Sequence, residues 1–300
     1  MNSIAMLPTA PRVTAEPAQP PARPKRRKSF RRPNLLGGLA GWIWLAIIIV
    51  PLYYVLITSM KNQADYFTTN PLLPAGNPTL DNYALVLQND FVLYFVNSLL
   101  VTVGSVVPAV IVSFMAAYGV TRGTTRVVGG INTLFLLGLS IPLQATIIPV
   151  YWLIVRLNLY DNLIALMLPS IAFAIPVSVL ILSNFMRDIP KELFESMRLD
   201  GCTEWTIMWR LVFPLIRPAI TTIAVYNALN VWNGFLFPLI LTQSPEKRVL
   251  PLSLWAYQDE FTVNTPAILA AVVLSAIPLV AVYILGRRQL VSGLTGGFSK

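Results

Sequence analysis

ESMRLDGCTEWTIMWRLVFPLIRP, residues 195–218, stands in a charged island running from Arg187 to Arg217, and the runs on either side, Asn162 to Met186 and Pro218 to Pro245, carry no charge. Within the island, Asp188-Ile-Pro190-Lys-Glu192 reads as a helix start, because proline fits the first turn and acidic residues favour the positive end of a helix. That helix is expected to run to about Leu199. Asp200-Gly201 then reads as a turn, since glycine takes a positive φ without steric cost, and Thr203 can cap a second helix. There Trp205, Met208, Trp209 and Val212 recur at i, i+3, i+4 and i+7, an apolar stripe flanked by Glu204 and Arg210. Pro214 is expected to end this helix by disfavouring helical geometry at Phe213. The residues alone admit two readings of this helix-turn-helix: an interfacial element lying on lipid, or a docking element for a partner.

Outward from the island, the chain of 300 residues is 55% hydrophobic and only 12% charged. Its uncharged runs exceed the roughly 20 residues a helix needs to cross a bilayer. They cover Leu35 to Ser59, Phe91 to Thr121, Val127 to Val155, Asn162 to Met186, Pro218 to Pro245 and Phe261 to Gly286. The fold class expected is therefore an all-α integral membrane protein, with six transmembrane helices and a cytoplasmic helix-turn-helix loop. Six spans put both termini on one side. Basic residues near span ends are retained in the cytoplasm. With the N-terminus inside, eighteen of the 22 Lys and Arg are cytoplasmic, and only Lys61, Arg156, Lys247 and Arg248 are outside. Seven of the 13 acidic residues join those four, so the inside sums to +12 and the outside to −3.

Residues 1–34, Pro- and Ala-rich and containing PKRRKSFRRP, read as a disordered basic cytoplasmic tail. Its position beside a membrane helix favours topogenic retention and contact with anionic lipid over nucleic acid. The apolar run that follows is too long for a signal-peptide core and lacks a small-residue cleavage site, so it is expected to stay in the mature chain. Cys202 is the sole cysteine and histidine is absent, which excludes an intramolecular disulfide and a zinc site on His/Cys spacing, and no metal is expected.

No ionisable group lies inside a span; the polar residues there are amides and hydroxyls, among them Asn97, Ser98, Gln144, Asn184, Asn227, Asn230 and Asn233. Such groups serve helix-to-helix hydrogen bonding or line a path. Asn227, Asn230 and Asn233, at i, i+3 and i+6, are expected to share a helix face, with only modest drift round the helix, and fit either role. A carboxylate- or histidine-coupled secondary transporter is disfavoured. A P-loop is excluded too, because none of the sixteen glycines precedes a lysine. Coordination of sodium by amides and carbonyls stays open; otherwise the chain is expected to perform no chemistry and to bind no cofactor itself, with a separate ATPase supplying the work.

Glu195-Ser196-Met197, then Gly201 six positions after the glutamate, then Leu211-Val-Phe213-Pro214, resembles the EAA loop of importer-type ABC permeases. This resemblance favours the docking reading, with Glu195, Ser196, Met197, Asp200, Gly201, Trp205, Leu211 and Pro214 as its parts. Ser196 and Met197 replace two alanines of the family pattern, and Phe213 an aliphatic residue. Further matches extend over nearly the whole chain: Thr79-Leu-Asp81-Asn-Tyr83, Phe95-Val-Asn97-Ser98, Ala116-Ala-Tyr118-Gly-Val-Thr-Arg122, Pro142 with Pro149, Trp232-Asn233-Gly-Phe-Leu-Phe237-Pro238 and Arg287-Arg-Gln-Leu-Val-Ser-Gly293-Leu-Thr-Gly296-Gly297. In that order and spacing they resemble the carbohydrate-uptake branch, and in particular the second permease of a maltose-type heterodimer.

The resemblance implies a subunit of the prokaryotic inner membrane that works by alternating access. Its partners would be a homologous second permease, two ATP-binding subunits carrying ATP and Mg, and an extracytoplasmic sugar-binding protein. It also implies that the external loop from Gln243 to Asn264, with Trp255, Tyr257, Gln258, Asp259 and Glu260, reaches the sugar, although Trp255 equally fits an interfacial aromatic belt. Gly293, Gly296 and Gly297 would allow the C-terminal tail to approach the ATPase. The domain boundaries expected are 1–34 for the tail, 35–92 for the first helix and external segment, 93–290 for the permease domain with its loop at 187–217, and 291–300 for the C-terminal tail. The alternatives are an ABC permease for another solute, such as glycerol phosphate or an oligopeptide, a secondary transporter, and a membrane scaffold.

Overall fold

The computed structural model describes residues 35–257 and 263–296, and the regular structure among them is helical. The chain divides into two units after Ile47. The first is represented by the opening turns of α1 (Leu35–Ser59), an uncharged helix carrying Pro51. All that follows lies in the second unit, from Ile48 onward.

After α1 comes a short segment with α2 (Gln63–Thr68) and α3 (Asp81–Gln88), held by buried polar groups. Lys61 is wholly buried, and its Nζ donates to the Asn70 carbonyl at 3.0 Å and to Thr69 Oγ1 at 3.3 Å. Asn82 Nδ2 donates to the carbonyls of Ser59 and Lys61 at 2.9 and 2.8 Å, and the hydroxyls of Ser59 and Tyr83 meet at 2.6 Å. A buried polar group costs free energy unless paired. The Thr79-to-Tyr83 motif is therefore a fastening that returns this segment to the end of α1.

The core is the pair α4 (Phe91–Arg122) and α7 (Leu163–Arg187), which pack along one another. Buried positions on α4 recur three or four apart, and many are small: Ser98, Ser105, Ala109, Ser113 and Ala117. On α7, Ala165, Ala174, Ser178 and Ser183 are buried in turn. Lipid tails are as apolar as leucine, so membrane helices associate through close packing that small residues permit. Gly104 makes the point, since a Cβ there would stand 2.7 Å from Met167 Sδ.

The third uncharged run is not the straight helix expected. α5 (Arg126–Gly138) and the segment Leu143–Arg156, which contains α6 (Ile147–Arg156), meet at 99°. Pro142 sits at the break. It has no N–H to continue the ladder and biases the residue before it away from helical geometry.

The island follows as α8 (Lys191–Leu199), α9 (Glu204–Ile207), a π turn at Met208–Val212 and α10 (Phe213–Leu215). The fifth run is also broken. α11 (Arg217–Trp232) has 16 residues, about 24 Å at 1.5 Å per residue, and it stops at Asn233-Gly234. α12 (Leu236–Leu241) resumes beyond, α13 (Leu250–Ser253) lies in the following loop, and α14 (Thr265–Gly296) closes the chain. α14 is helical through Gly293 and Gly296, where a tail was expected from residue 291; Gly297 lies outside the described residues. Three helices are long and apolar enough to cross a membrane, and two bent pairs, Arg126–Gly138 with Leu143–Arg156 and Glu204–Leu215 with Arg217–Trp232, raise the number to five among the described residues. The apolar stretch Thr265–Ala281 of α14 is shorter.

At the end of the second unit away from the island, the 242–257 loop is tied down by side chains. Asn97 Nδ2 donates to the carbonyls of Glu246 and Arg248 at 2.8 and 2.9 Å, and Ser98 Oγ accepts from the Leu250 N–H at 2.8 Å. These two residues hold a loop rather than bridge helices. Asp161, with φ of 58°, accepts from the N–H groups of Gln243 and Ser244 at 2.8 and 3.0 Å and from the Ser244 hydroxyl. Those bonds, the Ser244 hydroxyl foremost, hold its carboxyl below the ordinary carboxylate range. A depressed pKa contributes stability that is present above the unfolded value and lost as pH falls through the folded one. The anchor should thus hold unchanged from neutral pH down to the ordinary carboxylate range and loosen only below it. Asn97→Ala should weaken local protection by about 1–3 kcal/mol, read as at least fivefold faster hydrogen exchange at residues 246–250.

Candidate functional site

Two features stand out, one at the end of the bundle and one within it. At the end, α8 closes in a turn that satisfies its last carbonyls: Gly201 N–H bonds to the Arg198 carbonyl and Cys202 N–H to the Met197 carbonyl, both at 3.0 Å. This six-to-one, five-to-two pairing needs a left-handed residue between, and Gly201 supplies it with φ of 75°. Met197 and Cys202, flanking that pairing, are both half-buried and pack against the same core cluster. A methionine where the family pattern has a small residue is therefore an apolar seat under the turn. Thr203 caps α9, its Oγ1 accepting from the Thr206 N–H at 3.3 Å.

The second helix departs from expectation. Pro214 does not end it; the π turn at Met208–Val212, closed by Phe213 N–H to the Met208 carbonyl, widens the helix just ahead and lets the proline ring pass inside. The break comes at Ile216, and Glu204–Leu215 meets Arg217–Trp232 at 77°. The expected stripe is also divided. Met208 and Val212 are buried, joined by Ile207 and Ile216, and Trp209 and Leu211 are half-buried, whereas Trp205 is 59% exposed. Leu199 at the turn is 89% exposed and Leu193 also faces out. Glu195, Ser196, Asp200 and Pro214 are exposed beside them. Exposed Leu and Trp on an otherwise charged loop form the kind of patch that marks a docking surface.

The loop is fastened to the C-terminal end of α4 through Tyr118 and Arg122, the first and last polar side chains of the Ala116-to-Arg122 motif to face it. Tyr118 Oη donates to Glu204 Oε2 at 2.5 Å, while Arg198 Nε donates to Glu204 Oε1 at 2.7 Å. The Arg122 guanidinium lies 3.8 Å from the centre of the buried Phe194 ring. The Tyr118 hydroxyl, with Arg198, holds the Glu204 carboxyl below its ordinary range. No spacing rule links positions 86 residues apart.

The second feature is a cavity of about 480 Å³ opening beside α7. Gly138, Leu139, Ile141, Leu143 and Gln144 line it from the break of the third run, and Gly234 through Pro238 from the break of the fifth. Asn227 and Asn230 complete it with Ser170 and Tyr226, and no charged side chain is among its lining residues. Asn227 is buried and donates to Ser178 Oγ at 2.9 Å; Asn230 is exposed and donates to the Tyr226 carbonyl at 2.8 Å. Asn233, expected on the same face, does not line the cavity. It caps α11 and donates to the Leu229 carbonyl, because a six-residue offset on a helix drifts away from the starting face.

Tyr257, expected to meet a sugar, is a core residue instead. It is 7% exposed among Val86, Tyr94 and Ala267, its hydroxyl reaches the Val86 carbonyl at 3.4 Å, and burial pushes its pKa up to about 12. Gln258 and Asp259 lie outside the described residues.

The model of the family described as binding-protein-dependent transport system inner membrane component matches residues 93–295. Protein ORF2 of Caldicellulosiruptor sp. (strain Rt8B.4), provisionally named an ABC transporter permease, is 36% identical over 258 residues, covering 86% of this chain and 94% of that one. The arabinooligosaccharides transport system permease protein AraQ of Halalkalibacterium halodurans is 29% identical over 265 residues, covering 86% and 93%. Among solved structures, a chain of a bacterial alginate ABC transporter, in complex with its alginate pentasaccharide-bound periplasmic protein, shares the fold. Its TM-score is 0.62 at 15% identity, with 85% of this chain and 94% of that chain covered.

A Cβ at Gly201 would meet nothing within 4 Å, so substitution there tests backbone strain alone. Gly201→Val should cost about 1–2 kcal/mol or more and raise proteolytic cleavage between residues 198 and 203. Gly201→Asn, whose side chain tolerates left-handed φ, should leave cleavage near the wild-type rate.

Proposed function

The chain belongs to the family of binding-protein-dependent transport system inner membrane components, and from that premise we propose that it is the permease subunit of an ATP-binding-cassette importer for a neutral sugar. The observation that carries the solute part is the cavity where the two broken runs meet. Irregular backbone at membrane depth is tolerated only where protein buries it or where it lines a cavity, and discontinuous helices build the substrate sites of many transporters. Gln144, Ser170, Asn227 and Asn230 offer donors and acceptors for hydroxyls among apolar walls, the composition of a small-molecule site.

The relatives named for sugar uptake support a carbohydrate. The uncharged lining supports a neutral one, since an anion desolvated without a counter-charge is costly. On the same ground glycerol phosphate is a poor fit. The island loop is the contact for the ATP-binding subunits, which hold ATP and Mg and perform the hydrolysis; Leu199 and Trp205 are its apolar contacts and Glu195 its charged one. A homologous second permease and an extracytoplasmic binding protein complete the assembly. The charge balance supports a cytoplasmic side for the loop and both termini, in a prokaryotic cell.

Deleting the gene should abolish ATP-dependent uptake of a neutral oligosaccharide, measured with labelled substrates, and leave uptake of a uronate oligosaccharide unchanged. Uptake that collapses with an ionophore yet survives loss of the ATPase would refute the proposal. Asn230→Leu should lower the uptake rate about fivefold, on the order of one hydrogen bond, with the protein still present in the membrane by immunoblot.

A further inference from the structure

Both short helices of the island loop are tied to the C-terminal end of one membrane helix. α9 is held through Glu204 to Tyr118, which is 8% exposed on α4, and α8 through the fully buried Phe194 to Arg122 one turn further on. Arg198 on α8 joins the two halves by its 2.7 Å pair with Glu204. The other exit from the loop is built differently. Between α9 and α11 the chain passes through the π turn, an internal Pro214 and the break at Ile216, where the axis turns by 77°. A helix opened in this way is a place for bending.

We infer that Tyr118 is a positioning residue: its hydrogen bond to Glu204 latches the loop to α4, so that movement imposed on the loop is carried into α4 and α7 as one body while Ile216 acts as the hinge toward α11. The inference rests on the reading that an ATP-binding subunit moves this loop. A charge-assisted bond suits the task, being stronger and more directional than apolar contact. The closely packed small residues between α4 and α7 give the moving body its second helix.

Tyr118→Phe removes one hydroxyl and tests the latch in the assembled transporter, reconstituted in liposomes with its ATPase and binding protein. Uptake should fall roughly tenfold, the scale of one lost charge-assisted bond, with ATP hydrolysis kept within about twofold. The ratio of ATP consumed to solute moved should then rise by a similar factor. Glu204→Gln, which keeps an acceptor for the tyrosine, should restore most of the coupling that Glu204→Leu loses. Adding Tyr118→Phe to Glu204→Leu should change little beyond Glu204→Leu alone, which already removes the tyrosine's partner along with that of Arg198. Spin labels at Met115 and Lys191, both exposed, should report a broader distance distribution in Tyr118→Phe. An unchanged ratio and an unchanged distribution would overturn the latch, as would an equal fall of uptake and hydrolysis. A wild-type transporter without ATP-driven uptake would overturn the transport reading itself, and the latch with it.

Discussion

A backbone N–H or C=O inside a bilayer must find a partner within the protein, and this requirement governs where the chain can depart from a helix. Two of its uncharged runs do depart, one ahead of Pro142 and one at Asn233-Gly234. Both breaks face the same cavity beside α7, where the freed groups have neighbouring side chains and space for water or solute. The straight runs α4 and α7 carry the opposite assignment. They are uninterrupted, packed through small residues, and supply the frame on which the broken elements sit.

The same rule shapes both ends. Away from the island, Asn97, Ser98 and Asp161 take up the backbone groups of the 242–250 loop, so a connection without regular hydrogen bonding is still fixed to the helices. At the island, the Gly201 turn closes α8 and Thr203 opens α9, leaving a compact pair of short helices seated on α4 by Tyr118 and Arg122. Leu199 is exposed, and Trp205, although edge-on to Trp209 at 5.8 Å, turns most of its surface outward. A loop that is rigid within, tied to one membrane helix and apolar at its tip is suited to receive a push and pass it on.

The sequence was legible wherever one local rule decides. Runs without charge marked α1, α4 and α7 to within a residue or two, although each carries an internal proline, and Gly201 and Thr203 marked the turn because their roles are short-range. It misled where a neighbouring turn absorbs a local preference: Pro214 breaks helices in general, yet a π turn just ahead of it removes the conflict. Uncharged composition was blind to the bends, because apolar residues serve a straight span and a broken one alike. Tyr257 and the Tyr118–Glu204 pair depend on burial and on contacts far apart in the chain, which no periodicity encodes. Asn233 lies off the cavity for a geometric reason, the rotation of a helix face over six residues.

The proposed docking has the exposed tip of the island loop facing the cytoplasm and covered by an ATP-binding subunit. Leu199→Cys, made with Cys202→Ser so that one thiol remains, tests it by labelling with a membrane-impermeant maleimide. Labelling should be rapid in inside-out vesicles, absent in intact cells, and suppressed when the ATP-binding subunits are assembled with the chain. Labelling from the outer face, or labelling unaffected by those subunits, would contradict it.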